Sequence, residues 1–229
     1  MEDKMSKLQY DSKGNLIVPD VPFFGEDNLV FKQNWNDHGW KGICGKKARE
    51  YNVSKNRSWC CDPTNKCAEM MKIGEKGFPC MESSLFVDFK LDPGMYLKGE
   101  KRGDEKHIHS GMKGKLAFLT TISPEKDEES ERYFIGVFDI EKIGNERDVY
   151  GNKETSIIIS PNIKLKFWNY YKNKDGSIKW GSGLVRYIND EVSLKILYDL
   201  KNEFDKIGGF DKEKKNLNML IERYKGFLA

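Results

Sequence analysis

Two tryptophans, an aspartate and two glycines occur within nine residues of the sequence, at 34–42 (NWNDHGWKG). An indole ring is costly to leave in water, and glycine lets the backbone approach a ligand closely. The segment therefore predicts one wall of an aromatic pocket, in which Trp40 offers a flat face and Asp37 accepts a hydrogen bond from a base edge. The alternative is a turn whose tryptophans fill the core.

A second aromatic group lies between residues 167 and 187. Stacking on Trp or Tyr contributes about 1–3 kcal/mol per nucleobase, and a pocket for a flipped base needs two flat faces and polar groups for the base edge. The predicted faces are those of Trp168, Tyr170, Tyr171 and Trp180, and the predicted polar contacts to the base edge or a phosphate are Asn169, Ser182 and Arg186. The alternative is an aromatic hairpin that packs on a sheet.

Five cysteines occur in the chain, and four of them fall between residues 44 and 67. Paired Cys-x-x-Cys knuckles are absent, but a loop-rich stretch of this length buries little, and a four-thiolate zinc site would order it. The predicted structural zinc ligands are Cys44, Cys60, Cys67 and Cys80, with Cys61 and His38 as substitutes. The alternative is a set of buried cysteines that hold no metal.

Two enzyme hypotheses arise from other polar residues. Glu82, Asp88 and Lys90 resemble the acidic-x-Lys element of metal-dependent nucleases, in which carboxylates hold a divalent ion and lysine orients water. His107 and His109 lie on one face of an extended segment, but a polar loop with two histidines disfavours a catalytic metal site. The sequence has no glycine-rich phosphate loop and no nucleophile elbow, so we favour a non-catalytic role.

The elements that position these residues follow from hydrophobic periodicity. Alternating apolar residues predict a strand over 85–91, and apolar runs predict two paired strands joined by an acidic loop at 124–131. The paired strands cover 115–121 and 132–140, and further strands are predicted over 28–35, 156–160 and 163–167. Helical spacing follows Asn189, where Val192, Ile196 and Leu200 are in phase up to Gly208, and a second helix contains 217–224.

These elements predict an α+β fold with a twisted, mostly antiparallel, barrel-like sheet and flanking helices. Residues 36–80 form a loop-rich, cysteine-containing insertion with one helix near 67–72. We expect one nucleic-acid-recognition domain over 1–207, followed by a C-terminal helix or linker over 208–229. No apolar run approaches the roughly 18 residues that span a bilayer, and the polar N-terminus lacks a signal core, so we expect a cytoplasmic protein.

The charge balance alone does not identify a partner, because 39 basic and 36 acidic residues give a formal net charge of only +3. Binding to nucleic acid depends on the clustering of charge. Basic stretches occur at 46–57, 164–179 and 212–225, and the predicted phosphate contacts are the lysines near 46–57 and 172–179. The alternative is a solvated, lysine-rich surface.

Three segments, 35–44, 115–121 with 134–140, and 167–187, resemble the PUA-like superfamily, which includes the EVE and YTH domains. Such domains occur at the N-termini of prokaryotic modification-dependent restriction and defence proteins. The resemblance implies a barrel-like sheet and an aromatic cage for a modified base, a role that passes here to Trp40, Trp168 and Trp180. It also implies DNA as the partner, with RNA as the alternative, and a nuclease or ATPase effector as a further domain or subunit.

The leading hypothesis is therefore a non-catalytic DNA-binding module that reads a modified, flipped base in a restriction or defence context. A metal-dependent nuclease and a protein-interaction domain are the two rivals. In the protein-interaction hypothesis, the two helices predicted after Asn189 bind a partner, and the aromatic residues belong to the core.

Overall fold

The computed structural model describes residues 9–10, 16–17, 28–61, 63, 68–70, 80–94, 96, 100–101, 104–108, 113–144, 148–181, 183 and 185–228. Within these ranges the chain has an α+β fold, with a mixed seven-stranded sheet and helices packed against it. The α+β class and the flanking helices confirm those two parts of the predicted fold.

Nine strands occur among the described residues. They are β1 (Gln9–Tyr10), β2 (Leu16–Ile17), β3 (Asn28–Lys32), β4 (Lys90–Leu91), β5 (Leu116–Thr121), β6 (Tyr133–Gly144), β7 (Asp148–Gly151), β8 (Ile157–Ile158) and β9 (Val185–Ile188). The first two pair only with each other, and the main sheet has the order β4-β7-β6-β5-β3-β9, with β8 beside β6. The pairing of β3 with β5 is parallel, and the other described pairings are antiparallel. The described strands do not close into a barrel.

Both faces of the central strands are buried, because successive side chains of a strand point to opposite faces. In β3, Val30 belongs to a core cluster on one face, whereas Leu29 and Phe31 belong to a cluster on the other. Helices α4 (Asp190–Ile207) and α5 (Asp211–Leu228) pack against the first face. The second face is covered by residues that include Trp40 and Leu85.

The two late helices match the helical spacing of the sequence. The Asn189 side chain caps α4 by accepting a hydrogen bond from the Val192 backbone N–H at 2.8 Å. The helix ends at Gly208, which has a φ of 77°. The buried residues of α5 belong to the same core cluster as those of α4, so the C-terminal segment is a helix that is part of this core; they are Leu217, Leu220, Ile221 and Tyr224.

The predicted strand over 85–91 is wrong, because Met81–Asp88 forms a helix, α3, and only Lys90–Leu91 is extended. The helix begins where the Ser83 hydroxyl accepts a hydrogen bond from the Cys80 backbone N–H at 3.2 Å, which is one half of a capping box. It ends at Phe89, in a left-handed conformation with a φ of 53°. Consecutive burial of Leu85 and Phe86 is typical of a helix wedged between layers, not of a strand with one buried face.

The segment between residues 36 and 80 contains more regular structure than expected. Its described helices include α1 (Lys46–Ser54) and α2 (Ser58–Cys61), both in the part that was predicted as loop. Asp37 caps α1, since its carboxylate accepts a hydrogen bond from the Ala48 backbone N–H at 3.0 Å. No described helix has both the length and the apolar character that crossing a bilayer requires.

A buried polar network joins the sheet to the two late helices. The Asn28 side-chain oxygen accepts a hydrogen bond from the Leu116 backbone N–H at 2.8 Å, and its amide donates to Asp190 at 3.0 Å. The Tyr224 hydroxyl lies 2.5 Å from the same Asp190 carboxylate, which also pairs with Lys115 at 2.7 Å. Burial and the Asp190 carboxylate raise the pKa of Tyr224, so its hydroxyl remains a donor.

This network makes a prediction about stability. Tyr224→Phe keeps the buried ring but removes the hydroxyl that contacts Asn28 and Asp190, and an unsatisfied buried polar group costs about 1–3 kcal/mol. We expect urea unfolding to show a loss of that size. The matched control is Tyr171→Phe, because the Tyr171 hydroxyl has no hydrogen-bond partner among the described residues. Equal losses in the two variants would show that the network adds nothing.

Candidate nucleic-acid interface

One edge of the sheet collects the ends of four strands. Strands β3 and β5 are parallel, with Lys32 opposite Thr120, so their carboxyl ends lie at the same edge. Strand β6 is antiparallel to β5 and begins there, with Tyr133 opposite Thr121. Arg132, the residue before β6, therefore lies at this edge beside Lys32.

Strand β9 brings a second arginine to the same edge. It is antiparallel to β3, with Val185 opposite Phe31, so Arg186 follows at the start of the strand. The guanidinium carbons of Arg132 and Arg186 lie 4.8 and 5.3 Å from the centroid of the Trp180 ring. Trp180 is only 2% exposed. The indole therefore serves the two arginines as a cation–π partner and not as an open stacking face.

Two glycines make room for the Arg186 guanidinium. A Cβ atom added at Gly183 would lie 2.9 Å from Arg186 Nη1, and one at Gly181 would lie 3.1 Å from Nη2. The Trp180 indole N–H donates to the Gly183 carbonyl at 2.7 Å, which closes the segment around the arginine. A side chain at either position would thus crowd the Arg186 guanidinium, and the φ of +73° at Gly181 favours glycine independently of that contact.

Arg132 forms the base of the site. It is 1% exposed, and its Nε and Nη2 donate to the two oxygens of Glu129 at 2.5 and 3.1 Å. A bidentate pair of this kind fixes the plane of the guanidinium. Arg132 therefore has a carboxylate partner and no access to solvent.

Contacts between α1 and the acidic loop fix the turn that carries Arg57, whose charge acts on Lys32. The Tyr51 hydroxyl lies 3.1 Å from the Asp127 carboxylate, and Lys55 pairs with the same carboxylate at 2.6 Å. The Arg57 backbone N–H donates to the Asn52 carbonyl at 3.1 Å, in the turn that follows α1. The acidic loop is thus an attachment point for α1.

The four basic residues Lys32, Arg57, Arg132 and Arg186, here called the basic cluster, influence one another electrostatically. Burial lowers the pKa of Lys32 to about 8, helped by the charges of Arg57, Arg132 and Arg186, and only Glu129 opposes the shift. Glu82 is a second carboxylate that interacts with the cluster, through Arg57, so four cations face two carboxylates and a surplus of positive charge remains. Such a surplus at a sheet edge favours an anionic ligand.

An aromatic group lies beside the basic cluster. The Phe167 ring lies 4.9 Å from Trp168, 5.0 Å from Trp180 and 5.1 Å from Tyr171, which it stacks against at 20°. Trp168 and Tyr171 are half-buried. The Trp168 indole N–H donates to the Glu129 carbonyl at 2.6 Å, so the ring has a fixed orientation with part of its surface exposed.

The structure brings Trp168, Trp180 and Arg186 together but not Trp40. Trp40 is buried in the core cluster on the opposite face of the sheet, edge-on to Phe86 at 6.2 Å. Its indole N–H donates to the Asn34 carbonyl at 2.9 Å. It therefore packs as a core residue.

The other predicted base contacts have separate positions. Asp37 accepts a hydrogen bond from the Trp35 indole at 2.8 Å besides capping α1. Asn169 is exposed, and Tyr170 is buried with its hydroxyl donating to Asp199 at 2.6 Å. Ser182 lies outside the described residues.

The predicted zinc ligands are only partly described. Cys44 and Cys60 are buried, Cys80 is half-buried and Cys61 is exposed, whereas Cys67 lies outside the described residues. Within the part of the chain that the structure describes, no group of three or more His, Cys, Asp or Glu side chains is arranged to hold a metal ion. The zinc site therefore stays a prediction.

Two of the three residues of the nuclease hypothesis, Glu82 and Lys90, have structural partners. Both Glu82 oxygens accept hydrogen bonds from Asn34, at 2.8 and 2.7 Å, and burial raises the pKa of Glu82. Lys90 pairs with Asp148 at 2.7 Å, and Asp88 is exposed. The nuclease hypothesis therefore stays a prediction, in which Glu82 and Lys90 also have structural roles.

Sequence reasoning missed Lys32 and Arg132 and placed Arg57 only in a general basic stretch. One signal in the sequence could have indicated this site: Arg132 is a cation that lies between the acidic run at 124–131 and the apolar run of β6. No family model matches the chain, and neither the curated proteins nor the solved structures compared with it include a significant match. The chemistry of the site itself is therefore the ground for a functional proposal.

The lowered pKa of Lys32 predicts a pH-dependent effect of Lys32→Met. The folded state binds fewer protons than the unfolded state between pH 8 and 10.5, so the stability of the wild type rises with pH in this window. We expect Lys32→Met to unfold at higher urea than the wild type at pH 7, with a difference that shrinks as the pH rises through this window. The control is Lys153→Met, at an exposed turn. A Lys32→Met protein that is less stable than the wild type at pH 7 would contradict the prediction.

Proposed function

We propose that the chain is a non-catalytic nucleic-acid-binding module that reads a modified, flipped base. The observation that carries this proposal is the juxtaposition of half-exposed aromatic rings, Trp168 and Tyr171, with an under-neutralised basic cluster at the same sheet edge. Nucleic acid combines the two matching groups, a flat base and an anionic phosphate.

The aromatic role in this proposal falls to Trp168 and Tyr171. Their ring centroids are 6.0 Å apart at an interplanar angle of 67°, so the rings meet edge to face, and the angle between their exposed surfaces is here called the aromatic recess. A base in this recess would stack on the indole and contact the phenol ring. Trp180 supports the recess indirectly, because it holds Arg132 and Arg186.

The proposal also includes the finer features that the resemblance implies. These are closure of the sheet into a PUA-like barrel, DNA as the preferred partner over RNA, and a nuclease or ATPase effector in a restriction or defence system. A cytoplasmic location and a structural zinc held by the cysteines belong to it as well. The mostly antiparallel pairing and the flanking helices are compatible with such a fold.

The rival protein-interaction hypothesis makes a different use of the same surface. In that hypothesis the late helices bind a partner, and Met219 and Phe227, which are 40% and 41% exposed, would be central. These two residues lie on α5, apart from the aromatic recess. The experiment below separates the two functions.

Trp168→Ala tests the aromatic recess. We expect the variant to lose about 1–3 kcal/mol of binding to a duplex with a methylated base, roughly 5- to 150-fold in affinity, while affinity for the plain duplex changes little. Fluorescence titration with both duplexes at one salt concentration measures this, and circular dichroism checks the fold.

The matched control is Phe227→Ala, which removes an exposed aromatic ring from α5 and should leave both affinities unchanged. Equal binding of methylated and plain duplex by the wild type would refute base reading. Loss of a protein partner by Phe227→Ala, with no duplex binding by the wild type, would favour the rival.

A further inference from the structure

We propose that Lys32, Arg57 and Arg186 form a binding site for a single phosphate group, with Arg132 beneath it. The site lies at the carboxyl end of β3, and none of its residues belongs to the basic stretch at 172–179. The binding of a phosphate group does not depend on the proposed function. Only the assignment of nucleic acid as the source of the phosphate rests on the proposed function.

Unsatisfied donors are the first argument for this site. The Nε atom of Arg57 is buried and has no hydrogen-bond partner among the described residues. Arg186 donates to the Val185 carbonyl at 3.2 Å and has no carboxylate partner in the described part of the chain. A buried donor without a partner carries a desolvation penalty, and phosphate oxygens would remove it.

The balance of charge is the second argument. Glu129 is engaged by Arg132 in a bidentate pair, so it has little capacity left for the other three cations. Lys32 has no carboxylate within ion-pair distance among the described residues, and burial, together with the charges of the neighbouring arginines, lowers its pKa to about 8. A phosphate anion would reverse this effect and restore the charge of Lys32.

Preorganisation is the third argument. Arg186 is held between the Trp180 ring and the glycines at 181 and 183, and Arg132 is fixed by Glu129. Planar guanidinium groups held in this way bind phosphate with little loss of side-chain entropy. Arg132 and Arg186 are thus fixed before a ligand arrives.

Calorimetric titration of the full chain with inorganic phosphate tests the site, with chloride adjusted to constant ionic strength. We expect saturable binding by the wild type, and a loss of roughly tenfold or more in Lys32→Met and in Arg186→Met. The control Lys153→Met, an exposed lysine in a turn outside the predicted phosphate-contact stretches, should bind as the wild type does. At pH 8.5, binding should take up protons, seen as a heat that varies with the ionisation enthalpy of the buffer.

The source of the phosphate is tested with oligonucleotides of one sequence, with and without a 5′-phosphate. If the phosphate is a terminal one, the 5′-phosphate adds affinity that Arg186→Met removes. If it is a backbone phosphodiester, both oligonucleotides bind alike, and Arg186→Met lowers the slope of log K against log salt by about 0.7.

The possible failures are distinguishable. Absence of phosphate binding by the wild type, or binding by Lys32→Met and Arg186→Met as tight as that of the wild type, overturns the site. Phosphate binding that both substitutions remove, in a protein that binds no oligonucleotide, supports the site and refutes nucleic acid as its source.

Discussion

The hydrogen bond from the Leu116 backbone to the buried Asn28 side chain fixes the register of β3 against β5. A slip of one residue would turn every side chain of β3 to the opposite face, and Lys32 would leave the edge where the strand ends meet. Asp190 and Tyr224 complete the network around Asn28, so both late helices oppose such a slip. The geometry of the basic cluster therefore depends on polar contacts at the other end of the same five-residue strand.

The basic cluster is held together against its own repulsion by contacts that are not ionic. Trp180 attracts two guanidinium groups, and the glycines around it leave the Arg186 guanidinium space that a Cβ atom would crowd. Burial of a lysine beside three arginines lowers stability, which is why the pKa of Lys32 falls. Natural sequences tolerate such a local conflict where function requires it and compensate for it elsewhere.

The sequence was sufficient to predict those elements whose pattern is local. Helix α4 shows continuous helical spacing with a side-chain cap at Asn189, and the apolar runs of β5 and β6 identified a strand pair. Helix α3 was missed because its apolar residues alternate by chance, whereas the contact between Cys80 and Ser83 that starts the helix involves residues of weak propensity. Closure of the sheet depends on long-range pairing, which periodicity does not specify.

The candidate site was only half predictable for the same reason. Trp168, Trp180 and Arg186 are close in sequence, but Lys32 joins them only through the parallel pairing of β3 with β5, and Trp40 faces the other side of the sheet. Glu129 links the two halves of the site, because its carboxylate fixes Arg132 and its carbonyl accepts the Trp168 indole N–H. The orientation of the Trp168 ring and the position of the Arg132 guanidinium thus both depend on Glu129. The proposed phosphate site and the proposed base site therefore belong to one connected surface.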